Sequence, residues 1–181
     1  IPREGGADSL LVSADKNPNT NGARLTGICF TEIGINLPKI ADSIAKGTIK
    51  TLVVFGEDVT QHDFDAELLG KLETLIVSDI LPSGTTALAH YVLPGCAHAE
   101  KRGTFVNTKG RVQKFMQAIQ PPGDARPEWD FLQDLVWNVT DQSGSLTMEG
   151  LFNAMAKDVP AFHGLTWAAL GDKGVTVKIR S

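Results

Sequence analysis

The stretch Ile49-Lys50-Thr51-Leu52-Val53-Val54-Phe55-Gly56 decides how this chain reads. It is apolar and β-branched almost without interruption, and a glycine closes it. That pattern belongs to a strand buried on both faces of a parallel sheet, not to the polar–apolar alternation of a half-solvated strand. Residues 75–79 (LIVSD) repeat it and end in Asp79. Between the two, residues 64–72 (FDAELLGKL) read as a short amphipathic helix. Strand, helix and strand within about 30 residues make a βαβ unit, whose crossover is expected to be right-handed. Residues 81–84 (LPSG) form a turn, 85–90 a short helix, and 91–93 a third strand stopped by Pro94.

Upstream, residues 10–13 (LLVS) read as a short buried strand, and 15–22 (DKNPNTNG) as a loop dense in turn formers. Residues 36–46 predict a helix, with Asn36 as its cap, Pro38 near its start and Gly47 at its end. Downstream, residues 104–106 and 112–115 flank Asn107-Thr108-Lys109-Gly110, the pattern of a hairpin. Residues 120–123 (QPPG) break the chain. After them Trp129, Leu132, Val136 and Val139 form one helical stripe, and Met148, Leu151, Phe152 and Met155 a second. A glycine-rich turn from Gly171 precedes a last strand at 175–179. The expected class is α/β, a mostly parallel sheet with flanking helices. The expected organisation is one domain over residues 1–181, with sheet at about 8–119 and helices at about 124–170.

Bulk properties narrow the function. A 181-residue chain that is 42% hydrophobic can build a real core. Its net charge of −4 supplies no basic face for nucleic acid. It has no run long and apolar enough to span a membrane, and no signal-peptide pattern at its start. It begins at Ile1, not Met, as a piece of a longer protein would. Two cysteines, Cys29 and Cys96, do not make a disulfide scaffold and fit a reducing compartment. A single iron–sulfur cluster usually takes four thiolates, so this chain cannot hold one alone.

Chemistry is expected where ligands bind in open α/β sheets, at the carboxyl ends of the strands. Gly56-Glu57-Asp58 follows the first strand and Asp79 ends the second. They could grip a nucleotide, glycine by close approach and carboxylate through a ribose or a guanine. They could equally be a turn glycine and helix-capping acids. No GxGxxG and no Walker lysine loop is present. His90, Cys96 and His98 match no common zinc spacing, and no catalytic or metal-binding residue is assigned. Glu100, Lys101, Arg102, Asn107, Lys109 and Arg111 could cradle an anion or tie an irregular connection in place.

Three ordered motifs then add a resemblance. Asp79 ends its strand and leads to Thr86 and to Ala89-His90-Tyr91-Val92-Leu93-Pro94. Glu100 to Arg111 fits E-x-x-G-T-x-x-N-x-x-G-R, and Pro121 to Trp129 fits P-P-G-x-A-R-x-x-W. Together they resemble the C-terminal α/β part of molybdopterin oxidoreductases. Gly56 falls at that family's G-x-N-P loop, and Asn21-Gly22-Ala23 resembles an N-x-x-G-A stretch before it. The wording at 93–113, LPGCAHAEKRGTFVNTKGRVQ, is similar to the large iron–sulfur subunit of NADH:quinone oxidoreductase, complex I. The resemblance implies a domain like those of formate dehydrogenase and DMSO reductase. It implies a non-catalytic scaffold within a chain whose upstream domains carry iron–sulfur clusters and pass electrons from NADH to quinone. Expected partners are other subunits of a respiratory complex, peripheral to the cytoplasmic side of the membrane, with docking through the Lys101-Arg102 loop and the C-terminal helices. One alternative is part of an enzyme holding a molybdopterin guanine dinucleotide, such as a formate dehydrogenase. Gly56, Asp58, Asp79, Thr86 and Glu100 would then surround that cofactor. A free-standing nucleotide-binding domain is the third reading. Where the family has Asn-Pro this chain has Asp58-Val59, and where it has Asp this chain has His90. An acid in place of an amide donor repels a cofactor phosphate.

Overall fold

The structure is a computed structural model and describes residues 5–8, 14–29, 36–141 and 147–179. The strand expected at 10–13 lies outside the described residues. The chain folds into two compact units. One combines Gly34–Lys101 with Gln117–Asp134, and the other combines Ile1–Ile33, Arg102–Met116 and Leu135–Ser181.

The first unit holds the parallel sheet that the sequence announces. Strands β1 (Thr51–Phe55), β2 (Thr74–Asp79) and β3 (Tyr91–Pro94) lie in the order β1-β2-β3, all parallel. Val53 pairs with Ile76 and Ile76 with Tyr91. Phe55 pairs with Ser78 and Ser78 with Leu93. Helix α2 (Leu37–Ala45) precedes β1. It carries Pro38 in its first turn, and its Ile44 is fully buried. Gly47, at φ 71, lets the chain leave it in a conformation that side chains disfavour. Asn36 stands at its start without making the expected side-chain cap. Helix α3 (Ala66–Leu69) fills the first crossover, capped by Asp65, whose carboxylate accepts from Leu68 N at 2.8 Å. Helix α4 (Gly84–Leu88) fills the second.

The expectation that β1 is buried on both faces is not met. Val54 is buried, but Val53 and Phe55 are 40% and 42% exposed. Leu75 and Val77 of the central strand are fully buried. An unbroken apolar run marks a strand made to be covered on both sides, and among the described residues only one side of β1 is covered.

The second unit holds a different sheet, antiparallel and ordered β4-β5-β6, from β4 (Gly103–Val106), β5 (Arg111–Phe115) and β6 (Val175–Thr176). The hairpin between β4 and β5 is made by Asn107, whose Oδ1 accepts from Lys109 N and Arg111 N, both at 2.9 Å. Helix α1 (Thr20–Leu25) begins inside the stretch read as loop. Asn19 Oδ1 accepts from Val106 N and Asn21 Nδ2 donates to Asn107 O, so the asparagines that suggest a loop tie this helix to β4. Helix α6 (Met148–Asp158) is capped by Thr147 and buries Phe152 beside Phe162 and Trp167, at ring-centroid distances of 6.2 and 6.0 Å.

Helix α5 (Glu128–Thr140) is where the sequence predicts one. Among the described residues its apolar stripe is covered only in part: Trp129 is half-buried, while Leu132, Val136 and Val139 are 44%, 48% and 74% exposed. Amphipathic spacing selects a helix and a face but not the neighbour that covers the face.

Candidate functional site at the strand ends

The site is built by the loops that leave the carboxyl ends of β1, β2 and β3. After β1, Gly56 turns the chain at φ 60, with open space where a Cβ would stand. Its own N–H donates to Ser78 O at 2.8 Å. Asp58 follows, and its carboxylate gathers hydrogen bonds from two segments. Thr60 Oγ1 donates to Oδ1 at 2.6 Å, while Thr85 donates to the same oxygen through Oγ1 at 2.8 Å and through N at 3.0 Å. Gly84 N donates to Oδ2 at 3.3 Å. The bonds from Thr60 and Thr85, whose donors favour the charged form, hold the Asp58 carboxyl well below the usual carboxylate range. Thr85 is completely buried, so its hydroxyl has no water to fall back on. Asp58 is therefore a latch between the β1 loop and the start of α4. A Cβ on Gly84 would run into Thr60 Oγ1, so the close approach requires glycine there.

Thr86 serves the same helix. Ser83 Oγ accepts from Thr86 N at 3.2 Å, and Thr86 Oγ1 accepts from Ser83 N at 2.7 Å, a reciprocal capping box. Asp79, at the end of β2, accepts from Ile80 N at 2.7 Å. Its carbonyl accepts from Gly95 N, which ties the end of β3 to the end of β2. Glu100 lies past β3 and accepts from Ala97 N at 2.8 Å within its own short turn. Sequence reasoning thus places Gly56, Asp58 and Asp79 on the strand-end rim, with Thr86 one residue beyond the latch. Glu100 is occupied in stabilising its own turn. Thr60 and Thr85 were missed, although D-x-T and S-G-T-T are both local capping patterns visible in the sequence.

His90 takes a structural post of its own. Its Nδ1 accepts from Leu75 N at 2.9 Å, while its own backbone N–H donates to Leu75 O. The ring carries its proton on Nε2 in this arrangement. The cations after β3 are also engaged. Lys101 Nζ lies 2.9 and 2.7 Å from the two oxygens of Glu128, and Arg102 lies 3.2 Å from Glu149. Arg111 donates to Lys173 O at 3.0 Å. These contacts favour the structural reading of the 100–111 stretch over an anion cradle.

A family model for molybdopterin oxidoreductases matches residues 15–137. The chain belongs to the molybdopterin oxidoreductase family. Among its relatives is the NADPH-Fe(3+) oxidoreductase subunit alpha of Geobacter sulfurreducens, 36% identical over 148 residues, which are 80% of this chain and 17% of that protein. The F420-dependent formate dehydrogenase subunit alpha of Methanocaldococcus jannaschii is 34% identical over 148 residues, 78% of this chain and 22% of that one. A G-type chain of the NADH-quinone oxidoreductase of Rhizobium meliloti is 33% identical over 150 residues, 79% and 17%. The chain thus spans about a fifth of the length of these relatives. Acetylene hydratase from Pelobacter acetylenicus shares the fold, with a TM-score of 0.58 at 19% identity over 80% of this chain and 21% of that one. The mixed α/β architecture with a parallel sheet is therefore that of the molybdopterin family.

The rim can be tested against the guanine dinucleotide form of the family's cofactor. Of its carboxylates, Asp58 is taken up by Thr60, Thr85 and Gly84, and Glu57 lies 3.3 Å from His62 Nε2, which leaves Asp79 to suit the N–H and O–H donors of a nucleoside. A diphosphate is not suited, because the Gly56, Ile80, Gly84 and Thr85 N–H groups already have acceptors within the chain. Lys101 is held by Glu128. The rim and the diphosphate do not fit.

Proposed function

We propose that this chain is part of the large iron–sulfur subunit of an NADH:quinone oxidoreductase and serves there as a non-catalytic scaffold. In this reading iron–sulfur clusters elsewhere in the parent chain carry electrons from NADH toward quinone. The 181 residues supply packing surface for neighbouring subunits, on the cytoplasmic side of the membrane.

One observation carries the reading. The strand-end side chains of Asp58, Thr86 and Glu100 form hydrogen bonds to the chain itself and hold its loops in place. The LPGCAHAEKRGTFVNTKGRVQ stretch and the relative from Rhizobium meliloti point the same way. The formate dehydrogenase relatives are of similar identity and support the competing reading, a guanine-dinucleotide oxidoreductase with Gly56 and Asp79 at the nucleoside.

Metal content separates the two. The full-length parent protein is purified, and molybdenum, tungsten and iron are measured together by inductively coupled plasma mass spectrometry. Iron without molybdenum or tungsten is the expected result. Near-stoichiometric molybdenum or tungsten would overturn the scaffold reading.

A further inference from the structure

We propose that the cleft between the end of α6 and the turn at 163–166 is a binding site for a small carboxylate with an aliphatic body. The cleft has a volume of about 440 Å³, within the range of small-molecule sites, and belongs wholly to the second unit. It lies beyond residues 15–137, the part that matches the family model, and shares no residue with the strand-end rim. Nothing in it depends on which oxidoreductase the parent is. Its walls are fixed by bonds within the chain. Asn153 Oδ1 accepts from Trp167 N at 2.8 Å, which ties α6 to the segment after the turn. His163 Nε2 lies 2.9 Å from Lys157 O; a carbonyl only accepts, so the ring donates there and clips the turn to the helix end. Gly164 turns the chain at φ 81, with open space where a Cβ would stand. Ala156, 2% exposed, and the half-buried Leu165 supply apolar surface.

The polar groups left over in the cleft are donors. With Oδ1 committed to Trp167, the Asn153 amide keeps its Nδ2 donor, and no described residue accepts from it. Thr166 Oγ1 accepts from Ala169 N at 3.1 Å, which leaves its own O–H to donate. Lys157 brings a positive charge, and no carboxylate among the described residues pairs with it. No carboxylate lines the cleft, in a chain whose net charge is −4. Amide, hydroxyl and ammonium donors beside apolar carbon suit an anion that only accepts and carries a short hydrocarbon. A cation would be repelled by Lys157, and a neutral ligand would leave that charge unmatched. The C-terminal end of α6 opposes an anion, but this effect is weak at an exposed helix end and smaller than a charge-assisted hydrogen bond.

Acetylation of lysines by sulfosuccinimidyl acetate, read peptide by peptide by mass spectrometry, tests the site in the full-length parent polypeptide. The exposed Lys39 is the reference. Lys157 should react as Lys39 does, and hexanoate should slow Lys157 alone, in a saturable way. Acetate, which lacks the hydrocarbon, and hexanamide, which lacks the charge, should each need a concentration about tenfold higher. Asn153→Asp keeps the acceptor for Trp167 N but replaces the Nδ2 donor with a carboxylate oxygen, and should abolish the protection. The comparison of the three probes on the unaltered protein stands whether or not that variant folds. Acetate or hexanamide as effective as hexanoate would overturn the site, by reducing it to a general anion or apolar surface. So would equal slowing of Lys39, or undiminished protection in a folded Asn153→Asp protein. Failure of Lys157 to react in the absence of any probe would likewise overturn it, because the rest of the parent then fills the cleft.

Discussion

Replacing Gly84 with alanine puts two well-measured effects in opposition, and the latch geometry decides the sign. Alanine is the better helix former by roughly 0.5–1 kcal/mol, chiefly because it lowers the entropy of the unfolded chain. Gly84 sits at the first position of α4 and its φ is not in the left-handed region, so on propensity alone Gly84→Ala should stabilise. Against this, the new Cβ would collide with Thr60 Oγ1 and stand 3.3 Å from both Thr60 Cβ and Asp58 Oδ1. Thr60 cannot swing away freely, since its hydroxyl donates to Asp58 at 2.6 Å. Overpacking of this kind typically costs roughly 1–3 kcal/mol, and roughly 1 kcal/mol or more is added when the strong hydrogen bond is lost. The expected net is a loss of about 1–2 kcal/mol. For a chain of this size that lowers Tm by roughly 2–8 °C. Thermal unfolding followed by circular dichroism measures it. The companion Thr60→Ala/Gly84→Ala should recover part of the loss, giving a favourable coupling in a double-mutant cycle. A Gly84→Ala chain as stable as the parent, or more so, would refute the latch.

The same geometry fixes three other outcomes. Asp58 titrates lower in the folded chain than its ordinary value of 3.8. Its contribution is therefore present above pH 3.8 and lost as pH falls below that value toward the folded-state pKa. Asp58→Asn should flatten the stability profile in that acid window, as urea unfolding at several pH values would show. Phe152→Ala removes a ring that is 2% exposed and wedged between Phe162 and Trp167. It should cost about 3–5 kcal/mol, with loss of near-ultraviolet dichroism. Burial, with Glu100 and Glu128 adding to it, pushes the Cys96 thiol up. Iodoacetamide should therefore modify the half-exposed Cys29 first in the native chain, while Cys96 reacts only after unfolding. Equal rates in the native chain would contradict this burial.

The parallel sheet was legible because apolar runs and their punctuation are local: 49–55, 75–79 and 91–93 all became strands, with boundaries shifted by no more than two residues. The hairpin at Asn107 was legible for the same reason, since asparagine and glycine fix a turn through their own backbone contacts. Three features were not. Residues 15–22 read as loop because Asn and Pro disfavour helix interiors, but Asn19 and Asn21 spend their side chains on the β4 end, far along the chain. The partition into a parallel and an antiparallel sheet depends on pairing partners, which no local pattern specifies. At the site, the sequence shows Asp58 as a candidate ligand group or cap, but not the Thr85 hydroxyl that the fold of the second crossover places 2.8 Å from it.

The way the chain is shared between its two units has a practical consequence. It passes from one to the other at 33/34, 101/102, 116/117 and 134/135. No single cut separates them, and neither can be expressed as a continuous stretch of sequence. Each unit must instead close long loops before its core is complete, an entropic cost that precedes any packing gain. A ribosome delivers Gly34–Lys101 well before Gln117–Asp134. The segment that completes the parallel-sheet unit, Gln117–Asp134, follows only after the chain has passed through Arg102–Met116 of the other unit.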